Sequence, residues 1–273
     1  MKPSLLLLAL LLASVLSCGQ RQDSLLMKAY QTKSNASLSK FFNQWAHETP
    51  SLSAAEWEKL NDTLQNVYVL YEKFYNPLDL KKVSGSEWGN DIYKKAHFLL
   101  LQDRIRFGFV DTLDRDILLQ KVYVETASYL HVTMDSVIKA SKEPGNQSWT
   151  TILGWPKPKK YDSVIDFRPR VLFAYPQTVV LTGGYRDLLN RFLGNQQLPF
   201  AARNIMAPAR SRGESVKRKQ FLEQDIKLWY GHWGGYWQLL SYPAIGSITF
   251  DRTFQHALIN YELVYEGGYA YFT

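Results

Sequence analysis

The stretch SITFDRTFQHALINYELVYEGGYAYFT, Ser247 to Thr273, decides the fold class. Ser247 to Phe250 and Ala257 to Tyr265 are rich in β-branched and aromatic residues and read as two strands joined through Asp251-Arg252. Glu266-Gly267-Gly268 supplies a turn into a third strand, Tyr269 to Phe272. Three strands with short connections make an antiparallel meander. The stop at Thr273, inside the last strand, is the pattern of an edge strand or of a truncated product.

Upstream of the meander, Glu214 to Tyr230 has helical spacing, with Phe221, Leu222, Ile226 and Trp229 inward. The densest aromatic segment of the chain follows, Gly231-His232-Trp233-Gly234-Gly235-Tyr236-Trp237. This helix and meander, residues 214 to 273, resemble the cystatin-like and NTF2-like α+β folds, which implies a curved sheet wrapped around a helix. Further back, Val164 to Phe173 and Thr178 to Leu181 read as strands, and Tyr185 to Leu193 as a helix ended by Gly194. Residues 195 to 213 read as a long basic loop.

The first half reads as a helical hairpin followed by strands. Leu38, Phe41, Phe42 and Trp45 mark one helix, and Trp57, Leu60, Leu64, Val67 and Tyr71 a second, with Pro50 between them and Asn76-Pro77 as the stop. Ser53 and Glu56 have capping-box spacing. Phe98 to Leu101 and Arg104 to Phe109 read as a β-hairpin about Gln102-Asp103, while Val122 to Val132 fits a strand or a short helix equally. Asn146 to Tyr161, with Trp149, Trp155, Pro156 and Pro158, reads as a surface loop. The expectation is therefore an α+β protein with an N-terminal helical hairpin and strands, and a C-terminal helix packed on a curved antiparallel sheet. Its parts are residues 36–145, a surface loop at 146–163, and residues 164–273.

At the N-terminus, Lys2 precedes an apolar run from Leu5 to Leu16, shorter than the ~20 residues a membrane-spanning helix needs. Val15-Leu16-Ser17-Cys18 resembles the lipobox of bacterial lipoproteins, and Cys18 is the only cysteine. The resemblance implies a signal peptide over residues 1–17 and a diacylated, palmitate-type lipid anchor on Cys18. It also implies a polar tether over 18–35 and a place in the cell envelope, in the outer membrane of a Gram-negative bacterium. Asp166-Phe167-Arg168-Pro169-Arg170 and Gly231-His232-Trp233-Gly234 are similar to segments of uncharacterised lipoproteins from gut-type Gram-negative anaerobes. An acylated Cys18 leaves no thiol for a disulfide, a zinc ligand or a nucleophile.

The formal charge of +7 gathers in Lys157-Pro158-Lys159-Lys160, in Arg203 to Arg212 and in Lys217-Arg218-Lys219. Outside the cytoplasm its partners would be acidic glycans, lipopolysaccharide or anionic headgroups, and nucleic acid is not expected. His47, His97, His131, His232 and His256 lack the spacing of a helical zinc site, and no nucleophile elbow, phosphate loop or dinucleotide fingerprint is present. No cofactor or metal is expected. His232, Trp233, Tyr236 and Trp237 are binding candidates, because rings beside glycines suit stacking on sugars, and Arg168 and Arg170 are cationic candidates. Two readings stay open. One is a non-catalytic envelope lipoprotein that binds a glycan, a peptide or a partner protein through aromatic and basic residues. The other is an envelope hydrolase of polysaccharide or peptidoglycan, with acid/base carboxylates drawn from Asp225, Asp251, Glu262 and Glu266.

Overall fold

The computed structural model describes residues 23–75, 97–142, 156–171, 177–194, 212–226, 228–231, 236–238, 244–263 and 266–273. Within them the chain is α+β. It divides into two units, Met1–Ser51, Leu78–Asp103 and Val171–Ser241 forming the first, and Leu52–Pro77, Arg104–Arg170 and Tyr242–Thr273 the second. The expected linear division at 146–163 corresponds to neither, because strand pairs join segments far apart in sequence. Among the described residues no helix is long and apolar enough to cross a membrane.

In the first unit, helix α1 (residues 23–31) packs Leu26, Ala29 and Tyr30 into the core, so the expected tether over 18–35 is already folded from residue 23 onward. Helix α2 (Asn35–Glu48) starts at Ser34, whose hydroxyl accepts the Ser37 N–H, and buries the expected stripe Leu38, Phe41, Phe42 and Trp45. Strand β1 (Phe98–Gln102) pairs in parallel with β4 (Gln177–Leu181), from Phe98 opposite Gln177 to Gln102 opposite Leu181. This corrects the expected hairpin. A continuous apolar run suits a parallel strand covered on both faces, and Phe98 to Leu101 are all buried. Helix α7 (Gly183–Leu193) follows β4 and ends at Gly194 in the left-handed region, φ 84°, as its sequence predicts. Helix α8 (Arg212–Leu222) stops eight residues before the expected Tyr230, and Trp229–Gly231 (β5) pairs antiparallel with Tyr236–Gln238 (β6).

The second unit begins with α3 (Ala54–Trp57), capped by the Ser53/Glu56 box, and α4 (Asp62–Tyr75). The two long N-terminal helices thus belong to different units. Strand β2 (Arg104–Val110) pairs antiparallel with β3 (Tyr161–Ile165) and parallel with β7 (Ala244–Asp251). Strands β8 (Ala257–Leu263) and β9 (Glu266–Phe272) complete the order β3-β2-β7-β8-β9, with β9 at the edge. Gly267 and Gly268 lie within β9, opposite Glu262 and Tyr261, and not in the turn before it. Alternation sends Phe107, Phe109, Ile248, Phe250, Ile259 and Tyr261 to one face, where the Phe74 ring of α4 lies 5.2 Å from that of Tyr261. The other face carries Leu258, Tyr269 and Tyr271 against Leu113 and Leu118.

Leu118 belongs to α5 (Arg115–Leu130), which settles the open reading of Val122 to Val132 as helix up to Leu130, with His131 as its left-handed cap. Asp114 is its N-cap, accepting the N–H groups of Asp116 and Ile117 at 2.9 and 3.0 Å. Its periodicity is hidden because Ile117, Val124 and Tyr129 put apolar groups on the outer side as well. Helix α6 (Met134–Ser141) follows. Gly108 is fixed by close approach, since a Cβ there would meet Pro158 Cβ at 2.6 Å and the Lys160 carbonyl at 2.7 Å.

Trp45 tests the first core. Its ring is fully buried, stacks on Tyr185 at 4.3 Å and donates from Nε1 to the Val180 carbonyl at 2.8 Å. Trp45→Ala is expected to cost about 3–5 kcal/mol in denaturant unfolding, whereas Ile117→Ala, at an exposed position, is expected to stay within about 0.5 kcal/mol.

Candidate functional site

The turn between β7 and β8 of the second unit is built around one buried carboxylate. Asp251 Oδ1 accepts the Thr253 hydroxyl at 3.1 Å and the Gln255 N–H at 3.0 Å, and Oδ2 takes His256 Nδ1 at 2.9 Å. The Asp251 N–H donates to the His256 carbonyl at 3.0 Å, closing the loop. Burial pushes the Asp251 carboxyl up, but the bonds from His256, Thr253 and Gln255 outweigh it and hold the group below the usual carboxylate range. Phe254, three residues on, sits at φ 56°, a strained setting for an aromatic residue, with its ring partly exposed.

Two concavities flank this turn. One, of about 400 Å³, is lined by Phe109, Asp111, Lys157, Lys159, Lys160 and Arg252 among others. Arg252 pairs with Asp111 at 2.7 Å and Lys160 with Asp162 at 3.1 Å, but all four side chains are well exposed. Such pairs contribute little and exchange readily for a better anion. Lys157 and Lys159 have no carboxylate partner among the described residues. The other concavity, about 120 Å³, is lined by Asn66, Lys73, Phe254, Gln255 and His256 with apolar neighbours. Rings connect the two, since Phe254 lies 5.4 Å from Phe109 and 5.2 Å from Phe250.

His256 is also supported by the Tyr271 ring at 5.8 Å. The bond from Nδ1 to Asp251 fixes the ring orientation. Its one side-chain hydrogen bond among the described residues is that to Asp251, so the pair orients an imidazole without presenting a hydroxyl or thiol nucleophile to it. The first unit holds a second pair, His97 Nδ1 to Asp225 Oδ1 at 2.5 Å, where Asp225 also receives the Ser39 hydroxyl at 3.4 Å. Among the described residues no group of three His, Cys, Asp or Glu is placed to hold a metal ion.

Of the candidates from sequence, Asp251 and the Lys157–Lys160 cluster belong to this site. Cys18, His232 and Trp233 lie outside the described residues; Tyr236 and Trp237 lie on β6, opposite Gly231 and Tyr230. The Arg168 guanidinium forms an ion pair with Glu56, its N–H donates to the Tyr68 hydroxyl at 3.4 Å, and its carbonyl accepts the Leu52 N–H at 3.1 Å. Arg170 donates its N–H to Glu72 at 2.7 Å. This segment ties the strand end to α3 and α4. Of the carboxylates, Asp225 and Asp251 each hold a histidine, and Glu262 and Glu266 lie in the β8–β9 ladder opposite Gly267 and Leu263. Sequence reasoning missed Phe109, Arg252, Phe254 and His256. An Asp and a His at the two ends of a strand-to-strand turn were the signal available for the last. No protein-family model, curated protein or solved structure matches the chain.

Asp251→Asn is expected to destabilise the second unit by about 1–3 kcal/mol in denaturant unfolding, because the new amide turns a donor toward His256. Glu56 gives the pH dependence. The Ser53 N–H, then Arg168 and the Ser53 hydroxyl, lower its carboxyl from 4.5 to about 2. Its contribution is therefore full above pH 4.5 and lost as pH falls toward 2, so Glu56→Gln is expected to flatten the melting temperature over that acid range.

Proposed function

We propose that the protein is a lipid-anchored envelope protein that acts by binding, and that its ligand is an acidic glycan seated in the cationic concavity beside the β7–β8 turn. The observation that carries this reading is the placement of Lys157 and Lys159, without carboxylate partners among the described residues, next to Arg252 and the Phe109 ring. Cations alone would suit any polyanion. The Phe109 ring that lines this concavity, with Phe254 of the neighbouring concavity packed against it at 5.4 Å, adds an apolar platform for a sugar face, which favours a glycan over a bare phosphate chain. The lipobox-like leader supports a site outside the cytoplasm, where acidic polysaccharides are abundant and nucleic acid is scarce. Arg252 and Lys160 would exchange exposed carboxylates for ligand anions, a trade with little intrinsic cost.

The test is calorimetric titration of the protein with acidic and neutral oligosaccharides at low and high salt. Binding of acidic chains alone, weakening with salt, is the expected outcome. The double variant Lys157→Glu and Lys159→Glu is expected to weaken binding tenfold or more, on the order of 1.4 kcal/mol, with melting unchanged. Phe254→Ala is expected to weaken it less. Equal affinity for neutral and acidic chains, or indifference to the charge reversals, would overturn the reading.

A further inference from the structure

The first unit carries a basic concavity of its own, between helices α1 and α8. It encloses about 610 Å³, opens widely to solvent, and is lined by Tyr30, Gln31, Lys33, Lys217, Gln220 and Phe221 among others. Lys33 is held at φ 52° with Nζ 3.4 Å above the Tyr30 ring. The nearby acid, Glu214, is taken by the Tyr30 hydroxyl and Arg218, and Lys219 is taken by Glu223 at 2.6 Å. Glu214 also lines the concavity and attracts Lys217 at longer range, while neither Lys33 nor Lys217 makes an ion-pair contact with a carboxylate among the described residues.

The position of this face along the chain gives it a partner. The tether expected over 18–35 is folded from residue 23, leaving five residue steps between Cys18 and the start of α1. Such a span reaches at most ~18 Å. The nine residues of α1 add ~13 Å, so the concavity at its far end lies within about 30 Å of the acylated residue. The helix cannot swing outward to lengthen that reach. Leu26, Ala29 and Tyr30 are buried, the Tyr30 ring contacts Phe192 at 5.6 Å and Phe221 at 5.5 Å, and Asp23 pairs with Arg191 at 2.7 Å at the first turn.

We infer that the α1–α8 face docks on the anionic headgroups of the bilayer that holds the acyl chains, with Lys33 and Lys217 as the contacting cations. This rests on the lipid-anchor part of the proposed function. Acyl chains hold the protein at the surface; the basic face fixes which side of the first unit meets it, the pairing of lipid with basic patch that firm attachment uses.

The test uses the mature chain from residue 18 with Cys18→Ser, so that acyl chains play no part, in sedimentation with phosphatidylcholine vesicles and with phosphatidylcholine–phosphatidylglycerol vesicles at low and high salt. Binding only to the anionic vesicles, lost at high salt, is expected. Lys33→Glu with Lys217→Glu is expected to lower that binding about tenfold or more, while Lys157→Glu with Lys159→Glu leaves it unchanged. No binding, equal binding to neutral vesicles, or insensitivity to the first pair would overturn the docking. Palmitate labelling of the full-length chain in a bacterial host separates the premise. An unlabelled chain overturns the anchor and the inference built on it, whereas a labelled chain with no charge-dependent vesicle binding overturns the docking alone.

Discussion

The parallel pairing of β2 with β7 is the constraint on which the second unit depends. It joins Phe107 to Ile248, Gly108 to Thr249, Phe109 to Phe250 and Val110 to Asp251 across about 140 residues of chain. Without it the β7–β8–β9 meander would be a three-stranded ribbon with an open inner edge, and β3 would have no sheet to join. A parallel pair needs a long crossover, and loop closure over that distance is favourable only once the strands bury their faces. The apolar face supplies that burial, with Ile105, Phe107, Ile248, Phe250 and Ile259 all removed from solvent. The register also builds the candidate site, because it sets Phe109 beside Phe250 and lets the Lys157–Lys160 segment lie across Gly108.

Asp251 then does for the turn what the pairing does for the sheet. A buried carboxylate with no partners would carry a large desolvation cost. Here it accepts three hydrogen bonds, all from residues within five positions of itself, so the turn has one conformation in which the charge is satisfied. That conformation places Arg252 toward one concavity and Phe254, Gln255 and His256 toward the other, and it maintains Phe254 in the left-handed region. Rigid presentation of a cation and a ring lowers the ordering cost of binding.

What the sequence made legible was local. The β7–β8 strands, the helix closed by Gly194, the Ser53/Glu56 box and the buried stripe of α2 each rest on contacts within a few residues, and each is present. The failures follow the opposite rule. Phe98 to Leu101 reads as half of a hairpin until its partner is known to be Gln177–Leu181, and a run buried on both faces carries no alternation that would say so. Helix α5 escaped because a helix apolar on both sides loses its period. The His97–Asp225 pair spans 128 residues and left no local trace. In the candidate site, the lysines of 157–160 were readable as a cluster, but their association with Arg252 and Phe109 is a product of the fold.

The charge of +7 acquires meaning only after the paired cations are set aside. Arg168 is held by Glu56, Arg186 by Asp103, Arg191 by Asp23, Arg218 by Glu214 and Lys219 by Glu223, so each serves its own unit. A guanidinium bridging two helices or a helix and a loop orders the structure and is poorly placed to greet a ligand as well. Among the described residues, the cations left to solvent or to weak, exposed pairs include two groups that line concavities, Lys157, Lys159, Lys160 and Arg252 in the second unit and Lys33 and Lys217 in the first. A basic balance spread evenly over a surface would bind every polyanion weakly. Concentrated beside Phe109 in one unit, and beside Tyr30 and Phe221 in the other, the same excess forms local cationic surfaces with rings next to them, which an even spread would not supply.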